Sequence, residues 1–508
     1  MALPSITFIK GQGGLGRPLP GQDFISGFCF YTASLPSGFT TTTRIKPLYA
    51  VSDAVAAGIL NDYSDATSAA FTYLITNAGA VGDKIDILVT EPNGVIVDLG
   101  TYTKLVTDTT IALLGASIAA AINAGTLRNG YSASFTTATL TVTMPKKLGI
   151  YANTGTPVSV VITGTIAGTL VQPTGGLSSP LAVYYYHISE FFRMQPKGIL
   201  YVGFFAITSP YTFVEITTMQ NFANGTIRQT AVFKDPASAF ATGDLTLIDA
   251  VCKLNDAAKK PLSVLYAADL SGTVDISTLT DLGLLSANKA TAVISQDGLG
   301  QGNYLWLTVG KSITNIGTLL GTLALTKVSE SIAWVGRYNV SNGYENEVLG
   351  FANGQLFSSV AITDNLLDAL NTKRYVFTRK LTGIAGSYWN DSHTSIIITS
   401  DYAQIENNRT IDKATRIIYI NLLPSLNSPL TLNADGTISE TTTAYLTAQT
   451  ELPLNQMVRD GELSAYAAVI NPAQNVLATS KIIIAVTLVI NGVARQISIP
   501  IGFKPSIT

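Results

Sequence analysis

The chain has 508 residues, 31 of them Lys or Arg and 33 Asp or Glu, so its formal charge is −2 and only 13% of it is charged, against a usual share of about 25%. A balance this flat lacks the basic stripe or tail that releases counterions from phosphates, which speaks against direct binding of nucleic acid. Two cysteines, Cys29 and Cys252, and two histidines, His187 and His393, without HExxH or HxH spacing speak against a disulfide framework, a thiolate cluster and a metallohydrolase site. At about 100–200 residues per domain the length suggests three or four domains, and a sparsely charged, nearly neutral surface favours self-association.

Residues 1–60 read as an N-terminal arm and the first part of a core. Ser5, Ile6, Thr7, Phe8 and Ile9 form a short β-like run, followed by the glycine- and proline-rich Gly11–Gly21. Gly11-Gln-Gly13-Gly-Leu-Gly16 matches GxGxxG in form only: Arg17-Pro18-Leu19-Pro20 cannot propagate the helix a dinucleotide loop must open. The composition of this stretch promises little core of its own. No charged n-region followed by a long apolar run is visible, so no signal peptide is expected.

Residues 61–176 turn to Thr, Ala, Gly and Val and read as a β-rich inserted domain. Asp86–Thr90 and Val95–Leu99 flank Glu91-Pro-Asn-Gly94, a hairpin signal. A helix is expected at about Thr109–Ala124, then β-like runs at Tyr131–Met144 and Val158–Ile166, with Gln172–Gly176 as the linker back. Thr109–Leu127 is uncharged but alanine-rich and broken by Gly115, Ser117, Asn123 and Gly125, so a soluble helix is the better reading than a membrane span.

Residues 177–400 read as a central α/β domain. Strands are expected at Gly198–Ala206, Ile227–Phe233, Leu262–Ala268, Ala290–Ser295, Ile332–Tyr338 and Tyr375–Lys380, and helices at Leu245–Lys259 and Ser312–Lys327. Such alternation signals a mostly parallel sheet with helices on its faces. His187 reads as a satisfied core histidine, Asp297–Gly302 as a mobile glycine-rich loop, and Gly310-Lys311-Ser312 as a helix start, since Leu305 stands where a phosphate loop needs glycine. No GxSxG, SxxK or paired-carboxylate spacing singles out a catalytic group.

Residues 401–508 read as a C-terminal α+β domain. Asp401–Leu423 is expected as a helix with Ser400 as N-cap, and Glu440–Asp460 as another, interrupted at Pro453. Lys481–Ile490 and Val493–Phe503 flank Asn491-Gly492, the strongest short hairpin signal. The last strand sets Ile497, Ile499, Ile501 and Phe503 on one face, and Pro500 makes it an edge. Both chain ends thus look like strands without a sheet of their own, which suggests strand donation between subunits. On the long helix Arg409, Lys413 and Arg416 share one face, read either as a solvated row paired through Asp412 or as a contact to an acidic partner. The fold class expected is α/β and multi-domain: a central mostly parallel sheet with helices, a β-rich insertion, and a C-terminal α+β domain with extended terminal strands.

Ile411–Arg416, Met457–Ser464, Asn471–Asn475 and the closing strands through Ile501 together resemble the contractile tail sheath family of bacteriophages, shared with bacterial contractile injection systems. Tyr186–Arg193 followed by Gly198–Gly203 is also similar to it. The resemblance implies a non-enzymatic subunit that needs no cofactor, stacks as six-membered rings around a tail tube, and contracts to drive that tube through a target envelope. Its partners would be further copies of itself, the tube protein, and baseplate and tail terminator proteins, without membrane insertion. Its place would be the virion tail, assembled in the host bacterial cytoplasm. Carried over, Ser5–Ile9 would be a donated strand, with Ile483, Val486, Leu488, Ile490, Ile497, Ile499 and Ile501 in the C-terminal inter-subunit strands. Arg409, Lys413 and Arg416 would be tube-facing candidates. Residues 61–176 depart from the family core. A glycine-rich α/β nucleotide-binding enzyme and a static structural protein are the competing readings.

Overall fold

The computed structural model describes residues 22–234 and 239–503. The predicted N-terminal strand Ser5–Ile9 and the loop Gly11–Gly16 lie outside the described residues. The first element is β1 Ile25–Thr32, ISGFCFYT, with all eight residues buried. An alternating strand would expose one face; this one is buried throughout and mostly apolar because it lies in the middle of a sheet covered on both sides. The expectation of little core before residue 60 is therefore corrected: the central strand comes from there. An antiparallel edge strand β2 Ile45–Leu48 and helix α1 Val51–Ala56 follow.

The chain then leaves the sheet through a neck in which Thr67 and Leu177 exchange both backbone hydrogen bonds, at 3.2 and 3.1 Å. Between them run β3 Ala70–Asn77, β4 Lys84–Thr90, β5 Ile96–Asp98, β6 Tyr102–Thr103, α2 Ile111–Ala124, α3 Thr126–Asn129, β7 Ser132–Thr136, β8 Thr139–Thr143, β9 Val158–Thr163 and β10 Ala167–Thr174. They form two sheets, β10-β3-β8-β7 and β5-β4-β6 with β9 also on β4. Phe71, Tyr73, Ile85, Ile87, Ile118, Leu140 and Val142 close a core of their own between these sheets and α2. The β4–β5 hairpin turns on Gly94, whose φ of 78° lies where only glycine is unstrained. Thr110 accepts from the Leu113 amide and caps α2. No helix among the described residues is long and apolar enough to cross a membrane.

After the neck come α4 Pro180–Met194, β11 Ile199–Ala206, α5 Glu215–Phe222, β12 Gln229–Lys234, α6 Thr242–Ala257, β13 Ser263–Ala267 and β14 Ala290–Val293. The sheet order is β14-β13-β12-β1-β11-β2, and its first five strands are all parallel. Counted along the chain, the parallel strands are ordered 2-1-3-4-5, a doubly wound arrangement with helices on both faces. Further on lie β15 Ser295–Asp297, α7 Gln301–Val309, α8 Ile316–Leu325, β16 Leu349–Phe351, α9 Asp364–Thr372, β17 Thr378–Leu381 and β18 Ile384–Trp389. The strand expected at Ile332–Tyr338 is a run of turns, and Tyr375–Lys380 is strand only from Thr378, where it pairs antiparallel with β18.

Helices α4 and α8 approach closely because α8 presents glycine: a Cβ on Gly317 would stand 2.3 Å from the carbonyl oxygen of His187. His187 is fully buried among the rings of Phe28, Phe30 and Phe233. The expectation of a satisfied histidine is corrected, since neither ring nitrogen has a hydrogen-bond partner. Burial lowers its pKa to about 3, so the ring is neutral and acts as an aromatic filler.

The C-terminal part comprises α10 Ile405–Leu422, α11 Glu440–Arg459, β19 Leu463–Ile470, α12 Val476–Thr479 and β20 Ile484–Ile490. Gln404, not Ser400, occupies the N-cap of α10, and α11 runs on through Pro453. The predicted hairpin across Asn491-Gly492 is not formed. β20 pairs instead with β19, Tyr466 opposite Leu488 and Ala468 opposite Val486. Asn491 is spent elsewhere: its amide donates to the Gly461 carbonyl at 2.6 Å and accepts from Ser464 Oγ at 2.9 Å. That double contact fastens the end of β20 to the start of β19 and leaves no free Asn-Gly turn.

If the neck is the main covalent and hydrogen-bonded junction of the insertion, replacing residues 68–176 by a short Gly-Ser bridge should leave the remaining body folded. The expected outcome is one cooperative unfolding transition with near-ultraviolet circular dichroism retained. A shortened protein without a cooperative transition would show that the body depends on the insertion's packing.

Candidate assembly site at the chain termini

Helix α10 turns its basic row inward. Lys413 Nζ binds Asp23 Oδ2 at 2.7 Å and Glu462 Oε1 at 2.6 Å, and Arg416 Nη2 binds Asp23 Oδ1 at 3.1 Å. Arg409 is 4% exposed; its guanidinium donates to Thr326 Oγ1 at 2.7 Å and to the carbonyls of Lys327 and Thr326. These carbonyls lie just past the C-terminus of α8, where a cation meets the negative end of the helix dipole. Asp412 pairs with Lys289 at 2.5 Å, not with Arg416. Arg409, Lys413 and Arg416 are therefore not candidates for facing a tube: their charges are consumed inside the subunit.

The electrostatics follow from this enclosure. Burial alone would raise the Asp23 carboxyl, but Lys413 and Arg416 outweigh it and hold the group below its usual range. Burial lowers Arg409 to about 10 despite the pull of Asp23, and it raises Glu462, partly offset by Lys413. The cluster thereby joins the chain just before β1, the middle of α10 and the residue just before β19. Asp23 carried no signal in the sequence. Glu462 did lie inside the Met457–Ser464 motif, but nothing there marks it as the partner of Lys413.

The C-terminal strand residues divide. Val486 and Leu488 are half-buried and pack on the small core of Val328, Ala414, Ile417, Leu454 and Met457, so the inner face of β20 is engaged within its own subunit. Ile483 and Ile490 stay largely exposed, at 58% and 38%. Among the described residues β19 and β20 pair only with each other, which leaves both outer edges of this ribbon open. Beyond it residues 493–503 join no strand, and Ile497, Ile499, Ile501 and Phe503 are 77%, 77%, 95% and 109% exposed.

The body offers two further polar clusters. A doubly wound sheet binds ligands outside the carboxyl ends of its strands, at the point where the order reverses, here between β1 and β12. Lys234 at that end is held by Asp244 at 2.6 Å, and Tyr266 donates to the same carboxylate at 2.6 Å. Beside them a cavity of about 10 Å³ lined by Lys234, Asp269 and Ser312 has room for one water. Gly310, with φ 68°, ends α7, and Ser312 is buried against the Ala352 carbonyl; Gly310–Ser312 is thus a helix end, not a helix start. The second cluster replaces the mobile loop expected at Asp297–Gly302. This segment closes over a carboxyl pair, with the Gln301 amide donating to Glu345 Oε1 at 2.7 Å and the Asn346 amide to Asp297 Oδ1 at 2.9 Å. Gly300 is required there, because a Cβ would stand 2.7 Å from Asp297 Oδ2 and 2.9 Å from Glu345 Oε2. Burial first, then Asp297, raises Glu345 to about 7.

Two models of one protein family match the chain: DUF2586, N-terminal domain, over residues 87–393, and DUF2586, C-terminal domain, over residues 401–508. No curated protein matches it. Among solved structures it is similar to the contracted helical sheath of the anti-feeding prophage, at 16% identity over 63% of this chain and 81% of that one, TM-score 0.45. The contracted sheath of an extracellular contractile injection system, PVC, gives 15% identity over 63% and 80% of the two chains, TM-score 0.43. A sheath tail protein of Listeria innocua gives 9% over 92% and 94%, TM-score 0.35.

Two measurements probe these clusters. Lys413→Met leaves Glu462 buried without its cation, while Asp23 keeps Arg416, and is expected to cost about 3–5 kcal/mol in denaturant unfolding; adding Glu462→Gln should restore most of it. A cost under about 1 kcal/mol would class the pairs with solvent-screened surface bridges. The raised Glu345 carboxyl is protonated in both states below about pH 4.5, whereas up to about 7 only the folded chain keeps the proton. That stabilisation is lost as pH rises through the window. His187, held neutral when folded, pulls the other way over the same window, so Glu345→Gln, which removes the falling contribution, should make the melting temperature rise more or fall less with pH between those limits than in the parent protein.

Proposed function

The chain belongs to the DUF2586 family, and we propose that it serves there as the structural subunit of a contractile sheath. Copies stack as six-membered rings around a tail tube and shorten on a signal from the baseplate, driving the tube through the target envelope. The observation that carries this reading is the C-terminal end: residues 493–503 present an apolar row to solvent beside a ribbon with two open edges. Soluble proteins usually blunt such edges with lysine or cover them, and here the row is Ile497, Ile499, Ile501 and Phe503.

Magnitudes show what kind of contact this end makes. Burying four such side chains in a neighbour yields about 6–12 kcal/mol. Ordering residues 496–503 costs about 8–16 kcal/mol, and each ladder hydrogen bond returns about 0.5–1.5 kcal/mol. One donated strand is close to balanced, so a polymer held this way depends on many strands at once. Main-chain ladders also tolerate rotation of the bodies they join, as a shortening sheath requires. The partners proposed are other copies, the tube protein, and baseplate and terminator proteins, whether the machine is a phage tail or a bacterial injection system. Neighbouring capsid and packaging genes would mark the former.

Electron microscopy of the purified protein should show striated cylinders with a wide lumen. Removing residues 1–10 should abolish cylinders; truncating after Arg495 should do the same while leaving the melting temperature within about 3 °C, since the exposed row contributes little to global stability. Monodisperse single subunits at high concentration, or cylinders that survive truncation after Arg495, would overturn the reading.

A further inference from the structure

The exposed C-terminal row does not begin where β20 ends. Between them the chain is fastened once more to its own body, at Arg495. The Arg495 Nε donates to Asp391 Oδ1 and Oδ2 at 3.0 and 3.2 Å, and Nη2 donates to Ser392 Oγ at 3.2 Å and to Glu406 Oε1. Ser392 Oγ in turn donates to Glu406 Oε2 at 2.5 Å. Asp391 follows β18 and Glu406 lies in the first turn of α10, so this socket is built at the junction of the central sheet and the C-terminal part. Its walls are rigid and enclosed: the side chains of Asp391 and Glu406 are 14% and 4% exposed, that of Arg495 34%. A planar guanidinium fork is the cation that fits two such carboxylates at once.

We propose that Arg495 is a positioning residue that fixes where the C-terminal strand leaves its own subunit and which face it offers to a neighbour. This rests on the sheath reading above. An autoinhibitory clasp would cover the sticky side chains; this one stops short of them, leaving Ile497, Ile499, Ile501 and Phe503 exposed. Asn491 is tied to Gly461 and Ser464 and Arg495 to the socket, so the part beyond the anchor starts at residue 496, and its stretch to residue 503 alone spans about 26 Å when extended. Side chains alternate along a strand, and a slip of one residue exchanges its faces. Arg495 has the parity of the apolar row. Holding it holds that row opposite the acceptor and turns Gln496, Ser498, Pro500 and Gly502 away.

The test is a pair of insertions in the full-length protein. One alanine between residues 495 and 496 shifts the exchanged residues relative to the anchor and is expected to raise the critical concentration for polymer by about tenfold or more, through reversal of the faces. The same alanine between 492 and 493 lies upstream of the anchor and should change it less than about twofold, because the segment up to Arg495 makes no ladder. Both variants should melt like the parent, a readout that a purely structural role would not separate. Arg495→Lys keeps the buried carboxylates compensated but loses the fork, and should give an intermediate rise. Equal effects of the two insertions, or an unchanged critical concentration in Arg495→Lys, would overturn the anchor while leaving strand exchange standing. Polymer that survives truncation after Arg495 would overturn both.

Discussion

One ammonium group, that of Lys413, is held by carboxylates from the two ends of the chain: Asp23, just before the central strand, and Glu462, just before the last ribbon. Buried charges of this kind tolerate neither solitude nor much displacement, because losing one partner leaves the others desolvated and uncompensated. The geometry of both ends is thereby referred to a single helix. Arg409 extends the constraint to the end of α8, and Lys289 with Asp412 extends it to the strand edge of the central sheet. With so few charges in the sequence, a large share of those near α10 are committed to holding the parts of one subunit in register.

That allocation explains what could and could not be read from the sequence. Parallel strands buried on both faces write themselves as short apolar runs, so β11, β12, β13 and β14 were legible, as were the β4–β5 hairpin and the amphipathic α6. The central strand β1 was obscured because it sits in a stretch dominated by glycine and proline, and composition averaged over that stretch hides eight buried residues. Arg409, Lys413 and Arg416 were legible as one face of a helix. The sign of the environment on that face was not, since spacing says that three cations point the same way and nothing about what lies opposite. Their partners lie between 49 and 393 residues away along the chain.

The Asn491-Gly492 pair shows the same limit from another side. A dipeptide suited to a tight turn makes one only when both flanking strands prefer each other. Here β20 finds a longer partner in β19, and Asn491 gains two hydrogen bonds by capping that pairing. Local propensity identified the place where the strand ends and misassigned its partner. The row beyond, Ile497 to Phe503, was read correctly as apolar, and the socket that receives Arg495 could not have been seen without the fold.

The neck of the insertion sets how the chain can be extended without disturbing its centre. Its two strands enter and leave side by side, joined by the reciprocal bonds of Thr67 and Leu177, so the distance a replacement module must bridge is that of neighbouring β-residues. A module grafted there must also match α7, on which residues 146–153 rest, with Tyr304 donating to the Lys147 carbonyl at 3.2 Å. The position is a mounting point: a cargo joined there replaces the insertion through two adjacent chain ends and leaves the strand order of the central sheet untouched.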